Sequence, residues 1–340
     1  MEAHPKRYKG MDIGKKRMIV MKTVEKDIMC TFVIPLYIEE KNIELLGFFK
    51  QAMESIFEQT CPEWSIIFVD DNSKNRLLEE YINNIITKQK QTIIYRKNDS
   101  NLGPGISRNI GIDIAYNLGS DVIIFQDQDD LSHPRRVEVT RETFKTEGTD
   151  LLYSYFIPID EHGNKIEPED LAYSMKTILE NYSTPLVGKD VWKTLFAGRM
   201  YANLPSATSV RIEFAKKIPF PDRRSSEETY TWLVYSAHGA VFDFTREIPS
   251  KYRIPRNVKG SASRDSIGEE KWHQDMAESF IEAFFECAKC ALERGTATRE
   301  ELKKLESLLY INLVTIFKRE GIHDLAMKIY RDYIKHPIKI

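Results

Sequence analysis

The chain has 340 residues, with 49 Lys and Arg against 51 Asp and Glu and a formal net charge of −2. That balance gives no global attraction for nucleic acid or another polyanion, so any electrostatic site has to be local. The length supports one large domain or two medium ones with real cores, and no apolar run approaches the ~18 residues that would span a bilayer.

In chain order, residues 1 to 27 read as a basic tail with no hydrophobic period and no apolar region of the secretory type. The expected location is therefore cytoplasmic, and the basic chain ends leave peripheral contact with the inner membrane face open. From residue 28 short apolar runs alternate with amphipathic segments. "CTFVIPLY" (30–37), "SIIFVD" (65–70), "TIIYR" (92–96), "DVIIFQ" (121–126) and "DLLYSYFIPI" (150–159) read as buried strands, and 43–58, 75–89 and 105–118 have helical spacing. Strict alternation predicts an α/β fold, a mainly parallel sheet flanked by helices.

A more irregular stretch runs to about 225, and "IPSKYRIPRNVKGSASRDS" reads as turn-rich. Residues 269 to 335 read as helices broken near "RGTATREE", where Thr298 opens a new one. The expected division is a tail (1–27), a main domain (28–264, with halves 28–140 and 150–264) and a C-terminal helical region (265–340). In that region Phe280, Phe284, Phe285, Leu308, Leu309, Ile311 and Leu313 are expected to pack back on the domain or form a homodimer. The four cysteines, Cys30, Cys61, Cys287 and Cys290, suit a reducing compartment. The Cys287/Cys290 pair lies in a helix-like stretch with no second pair to complete a zinc site.

In parallel sheets ligands bind beyond the carboxyl ends of the strands. This rule puts Asp70 and Asp71 on the same edge as Asp127, Gln128, Asp129 and Asp130. Taken alone, "DQDDLSHP" is an acidic turn, a cap before Pro134 or a divalent-cation site. An EF-hand does not fit, because position six of the loop is Ser132 where Gly is required. "NLGPGISRNIG" does not match G-x-G-x-x-G and follows the third strand, which argues against a nicotinamide or flavin site.

Three segments together resemble the inverting glycosyltransferases of family 2, which have the nucleotide-diphospho-sugar transferase fold called GT-A. "FVIPLYIEEKNI" is similar to the family's V-I-P-x-Y-N-E-E, with Ile38 where Asn is usual. "ESIFEQTCPEWSIIFVDDNSKN" is similar to S-I-L-x-Q-T-x-x-x-x-E-I-I-V-V-D-D-x-S-x-D. "NLGPGISRNIGIDIAYNLGSDVIIFQDQDDLSHPRRVE" resembles N-x-G-x-x-x-A-R-N-x-G-x-x-x-A-x-G-x-x-I-x-F-L-D-x-D-D-x-x-x-P. The likeness is dense from about residue 30 to 140.

The resemblance implies a nucleoside-diphosphate sugar as donor, a UDP-sugar first, and a saccharide, lipid-linked or other hydroxyl acceptor, in bacterial polysaccharide or glycoconjugate synthesis. It implies Mn2+ or Mg2+, with Asp129 as metal ligand and Asp127 near metal, ribose and diphosphate, Gln128 lying between them and Asp130 starting the next turn. Pro35, Tyr37, Glu39 and Asp71 are implied for the base pocket, and Arg108 near base and diphosphate. Asp70 is as well suited to holding the turn.

"RRSSEETYTWLVYSA" (223–237) resembles the family's G-E-D-x-x-L-W-L-R-L, which puts Glu228, with Glu227 beside it, at the general base. Ser225 and Glu228 also read as a capping box. "YRIPRNVKGSAS" (252–263) is similar to the closing loop Y-R-x-H-x-G-S-x-S, but Pro255 replaces His, leaving Arg256 or Lys259 for the diphosphate. Two rival functions remain. One is a D-x-D phosphohydrolase with Asp127 as nucleophile, which fits less well because Leu131 stands where Thr or Val is common. The other is a catalytically silent nucleotide-sugar binder.

Overall fold

A computed structural model describes residues 27–146, 148–200, 203–254 and 268–335. The first half is built as read from β1 (Cys30–Leu36), α1 (Ile43–Phe57), β2 (Trp64–Asp70), α2 (Arg76–Lys88), β3 (Thr92–Lys97) and α3 (Pro104–Asn117) to β4 (Val122–Phe125), and is followed by α4 (Arg136–Lys145), a helix that the sequence reading did not mark. Local chemistry starts the helices. Asn42 and Asn75 accept from the backbone N–H groups of Leu45 and Leu78, both at 3.0 Å, and Pro104 opens α3, where a missing N–H costs nothing.

The second half adds β5 (Leu151–Ile159), α5 (Tyr173–Asn181), α6 (Val191–Thr194), β6 (Thr208–Arg211), α7 (Ile212–Lys217), α8 (Glu227–Ala237) and β7 (Phe242–Arg253). Seven strands form one sheet in the order β3-β2-β1-β4-β6-β5-β7. Only β6 runs antiparallel to its neighbours β4 and β5, so the sheet is mainly parallel. The turn-rich reading fails over 248–253, which belong to β7. Register shifts between Ser154 and Phe156 of β5, so β7 bulges and carries Pro249 without breaking the ladder.

Side chains alternate between two cores. Phe32, Ile34, Ile66, Phe68 and Ile124 face α1 and α2, while Val33, Val69, Phe125, Phe156 and Trp232 belong to the other face, with α8 and the C-terminal helices. Those are α9 (Glu269–Glu293), α10 (Arg299–Arg319) and α11 (His323–Lys335). Thr298 caps α10 as its sequence predicts, and a second break, at Gly321 with φ +82°, was not anticipated. Phe280, Phe284, Leu309 and Leu313 pack inward, whereas Phe285, Leu308 and Ile311 remain exposed. No helix among the described residues is long and apolar enough to cross a membrane.

Candidate active site

The chain runs outward from β1 to β2 to β3 and then returns to the other side of β1 as β4. The loops leaving β1 and β4 therefore diverge at the point where the strand order reverses, which is where open α/β sheets form a ligand crevice. Gln128 ties these loops together: its Oε1 accepts from Tyr37 N at 2.9 Å and its Nε2 donates to Tyr37 O at 3.2 Å. Tyr37 itself is exposed, with its hydroxyl 3.4 Å from Glu39 Oε1, while Ile38, at the family's Asn position, is buried.

Two arginines brace the acidic loop against its own repulsion. Arg136, buried, donates to Gln126 Oε1 and Phe125 O, both at 2.8 Å, and burial brings its pKa down to about 9. From the end of β7, Arg253 donates its backbone N–H to Asp130 Oδ1 at 2.8 Å and its Nε–H to Asp129 O at 2.9 Å. Its guanidinium reaches Gln51 Oε1 at 2.8 Å and lies over the Phe48 ring. Asp130 is thus not the start of a turn. The turn falls on Gln128 and Asp129, and Asp130 is buried beneath β7.

Arg108 lies at the centre. Its Nη2 donates to Asp127 Oδ1 at 2.6 Å and its Nη1 to Glu227 Oε1, and both Arg108 and Glu227 are almost wholly buried, at 3% and 4% exposure. Burial opposes the Arg108 charge, but Asp127 and Glu227 outweigh it and raise its pKa. The geometry depends on α3 lying close to the segment before α8. Asn109 makes a two-way pair with the Phe220 backbone (2.8 and 2.9 Å), and a Cβ on Gly105 would come 2.6 Å from Pro221 O.

Ser226, at φ +59°, turns the chain into α8 without a side-chain cap, and Ser225 Oγ instead faces Asp275 at 3.4 Å, so the capping box does not form. Helix α9 holds α8 at both ends. Ser279 Oγ donates to Ser226 O at 2.6 Å, and Cys290 Sγ (3.3 Å) and Arg294 reach Ala237 O.

The two carboxyls expected for the base now differ. Glu227 is spent on Arg108, whereas burial and then the Glu227 charge push Glu228 up to about 8. On the side expected to hold the nucleotide, Asp70 holds its turn through Ser73 N (2.7 Å) and Tyr95 Oη (2.5 Å). Asp71 orders the loop before α3, accepting from Asn98 Nδ2 at 2.9 Å and from Leu102 N and Gly103 N, both at 2.7 Å. Pro35, half-buried, lies at the end of β1 opposite Val69. Arg256 and Lys259 lie outside the described residues.

Among the described residues no three His, Cys, Asp or Glu side chains form a ready-made metal cage. Mg2+ and Mn2+ need none where a substrate brings phosphates, since one or two carboxylates then suffice. Asp129 fits that requirement: burial and then the neighbouring Asp127 charge raise it to about 7, and Asp130 Oδ2 beside it is buried without a partner among the described residues. This is a carboxylate set in want of positive charge.

Arg136, Arg253 and Gly105 were missed by the sequence reading. Both arginines stand inside motifs already noticed, "HPRR" and "YRIP", and Gly105 in the glycine-rich stretch. Their partners are distant in sequence and become visible only in three dimensions.

The sheet order, the reversal at β1/β4 and the acidic loop define a GT-A fold. Solved structures of other proteins share it, and three serve as examples. They are TarS 1–349 of S. aureus in complex with UDP (TM-score 0.53, 12% identity, 92% of this chain and 93% of that one), the mannosyltransferase PcManGT of Pyrobaculum calidifontis with GDP-Man and Mn2+ (0.54, 13%, 92% and 76%) and GalNAc-T7 with UDP, GalNAc and Mn2+ (0.55, 12%, 92% and 58%). Residues 31–203 match glycosyl transferase family 2, and the chain belongs to that family. An uncharacterized glycosyltransferase of Methanocaldococcus jannaschii is 30% identical over 213 residues, 61% of this chain and 66% of that protein. One of Rickettsia felis is 23% identical over 242 residues, 68% and 34%. The match thus spans just under two thirds of the first relative's length and a third of the second's.

Proposed function

We propose that the protein is an inverting glycosyltransferase that moves a sugar from a nucleoside diphosphate, a UDP-sugar first, to a hydroxyl of a saccharide or lipid-linked acceptor in polysaccharide or glycoconjugate assembly. The observation that carries this reading is the Arg108 bridge, which brings the loop after β4 and the first turn of α8 into one site. The nucleotides named for the similar structures support the donor class.

The residues divide the work as follows. Pro35, Tyr37 and Glu39 rim the base pocket, and Asp71 reaches the base through the lone pair left on its Oδ2. Arg108 fixes Asp127 toward ribose and diphosphate and Glu227 toward the protein interior, and Glu228, whose pKa is pushed up to about 8, serves as the base. Gln128 sets the spacing between the two loops. Glu228 takes the proton of the acceptor hydroxyl as its oxygen bonds to the anomeric carbon from the face opposite the diphosphate. The bond to the diphosphate breaks, and its electron pair leaves on the phosphate oxygen. A bound Mn2+ or Mg2+, held by Asp129 with Asp127, would supply Lewis-acid stabilisation for that charge. Arg256 or Lys259 adds a cation there. Alignment of donor and acceptor provides much of the acceleration.

The hydrolase alternative is disfavoured because the Asp127 charge is neutralised by Arg108, which weakens it as a nucleophile. Peripheral membrane contact through the basic ends, and a dimer through exposed Phe285, Leu308 and Ile311, belong to the same reading. The test is calorimetric titration with UDP, dTDP, GDP and CDP, with Mn2+ and then with EDTA. One nucleotide should bind selectively, and binding should vanish with EDTA and in Asp129→Ala. Metal-dependent binding of none of the four would overturn the proposal.

A further inference from the structure

The contact between α3 and the segment before α8 does not end at Gly105. It continues onto the loop that precedes α3, through Arg224. The exposed Arg224 guanidinium grips the half-buried Asn101 twice, Nη1 donating to the side-chain Oδ1 and Nη2 to the backbone O at 3.0 Å. Its stem closes over Gly103, where φ is +91° and a Cβ would come 3.3 Å from Arg224 Cδ and 3.5 Å from Arg223 O. Glycine is therefore suited to this place both by backbone conformation and by the close approach of the second segment.

The other side of this loop belongs to Asp71. Residues 98–103 form neither helix nor strand, so no ladder of backbone bonds fixes them. Asn98 N donates to Asp70 O at 2.8 Å, and Leu102 N and Gly103 N donate to the Asp71 carboxylate, Gly103 N to Oδ2, the oxygen assigned above to the base. The loop thus lies between Asp71 and Arg224, and a shift of Gly103 would turn the Asp71 carboxylate with it. Burial, then Glu39 and Asp71, push the Tyr37 phenol up, and the Arg224 charge opposes them, which puts Arg224 within electrostatic reach of Tyr37 as well. Two bonds from one planar guanidinium fix direction as well as distance, which a single ammonium contact does not. We propose that Arg224 is a positioning residue for nucleobase recognition, by which the segment leading into α8 holds the loop that orients Asp71.

This inference rests on the transferase reading, so its test separates the two. Full-length wild type, Arg224→Ala, Arg224→Lys, Asn101→Ala and the double variant Arg224→Ala/Asn101→Ala are titrated with UDP, dTDP, GDP and CDP in the presence of Mn2+ by calorimetry. Arg224→Ala and Arg224→Lys should each weaken the preferred nucleotide about fivefold, and Asn101→Ala about twofold, since the bond to its backbone O remains. The double variant should bind no more weakly than Arg224→Ala. The other three nucleotides should change by less than about twofold, because the diphosphate contacts that all four share do not pass through Asn101. Arg224 is exposed, so its removal opens no cavity, and a general fold defect would lower all four affinities together. An unchanged preferred nucleotide in Arg224→Ala, an equal fall for all four, wild-type affinity in Arg224→Lys or fully additive losses in the double variant overturns the inference alone, as does a wild type that binds all four alike. Binding of none of the four by wild type removes the transferase reading and this inference together.

Discussion

Arg108, on the first turns of α3, holds Asp127 of the acidic loop with one guanidinium nitrogen and Glu227 of α8 with the other, so one buried cation serves two carboxylates that are a hundred residues apart in sequence. Its removal leaves both charges without compensation in a poorly solvated site. Arg108→Met is expected to cost about 3–5 kcal/mol, read by urea denaturation. A loss below about 1 kcal/mol would show that the bridge is not a structural centre.

Glu228 supplies a pH signature. A base with a pKa near 8 is mostly protonated at neutral pH, so kcat/KM should rise about tenfold per unit toward pH 8 and level off above it. Stability runs the other way. The folded-state pKa lies above that of an unfolded glutamate, about 4.3, so the folded protein holds the proton more tightly. This contribution is complete below about pH 4 and is lost as pH rises through the window up to about 8. Glu228→Gln should lower kcat by about 10²–10⁴-fold and flatten that stability loss in denaturation curves at pH 6 and 8. A variant with wild-type turnover would exclude Glu228 as the base.

Gly105 is required by proximity. With a Cβ 2.6 Å from a backbone carbonyl and 3.3 Å from Glu227 Cγ, Gly105→Ala has to push α3 away from the segment that leads into α8. The expected cost is roughly 1–3 kcal/mol in thermal denaturation, with turnover falling further than stability. An unchanged melting curve would mean that the two segments separate freely.

Gln128 offers a milder perturbation. Gln128→Ala breaks both hydrogen bonds to Tyr37 at an accessible place, so the fold should survive while the β1 loop loosens. Nucleotide affinity should fall by roughly fivefold, the equivalent of about 1 kcal/mol, in the calorimetric titration. Unaltered affinity would leave Gln128 without a role in ordering the pocket.

Much of this was legible in the chain because its signals are local. Each of the first five strands is an apolar run bounded by turn chemistry, and Asn42, Asn75 and Pro104 mark helix starts in the residues themselves. The acidic ends of β2 and β4 could be placed on one edge because parallel strands share a direction. What escaped was set by pairing across long separations. β7 was hidden by Pro249, which only its bulge accommodates, and β6 by its brevity. Glu227 and Glu228 look alike in sequence, and what sets them apart is the hydrogen-bonded pair that Arg108 makes with Glu227. Asp130, read as the start of the next turn, is covered by a strand more than a hundred residues downstream.

The grip of α9 on Ser226 at one end of α8 and on Ala237 at the other makes the C-terminal region the mount of the helix that carries Glu227 and Glu228. Glu228 is carried on a rod whose two bearings belong to α9, so the height of its carboxyl above the sheet is set by residues far from any substrate. The nucleotide half is itself tied to α8 through the Arg108–Glu227 pair, and its own loops are joined by Gln128. Exchange of α9 for that of a relative would therefore shift Glu228 first and would reach the acidic loop through Arg108.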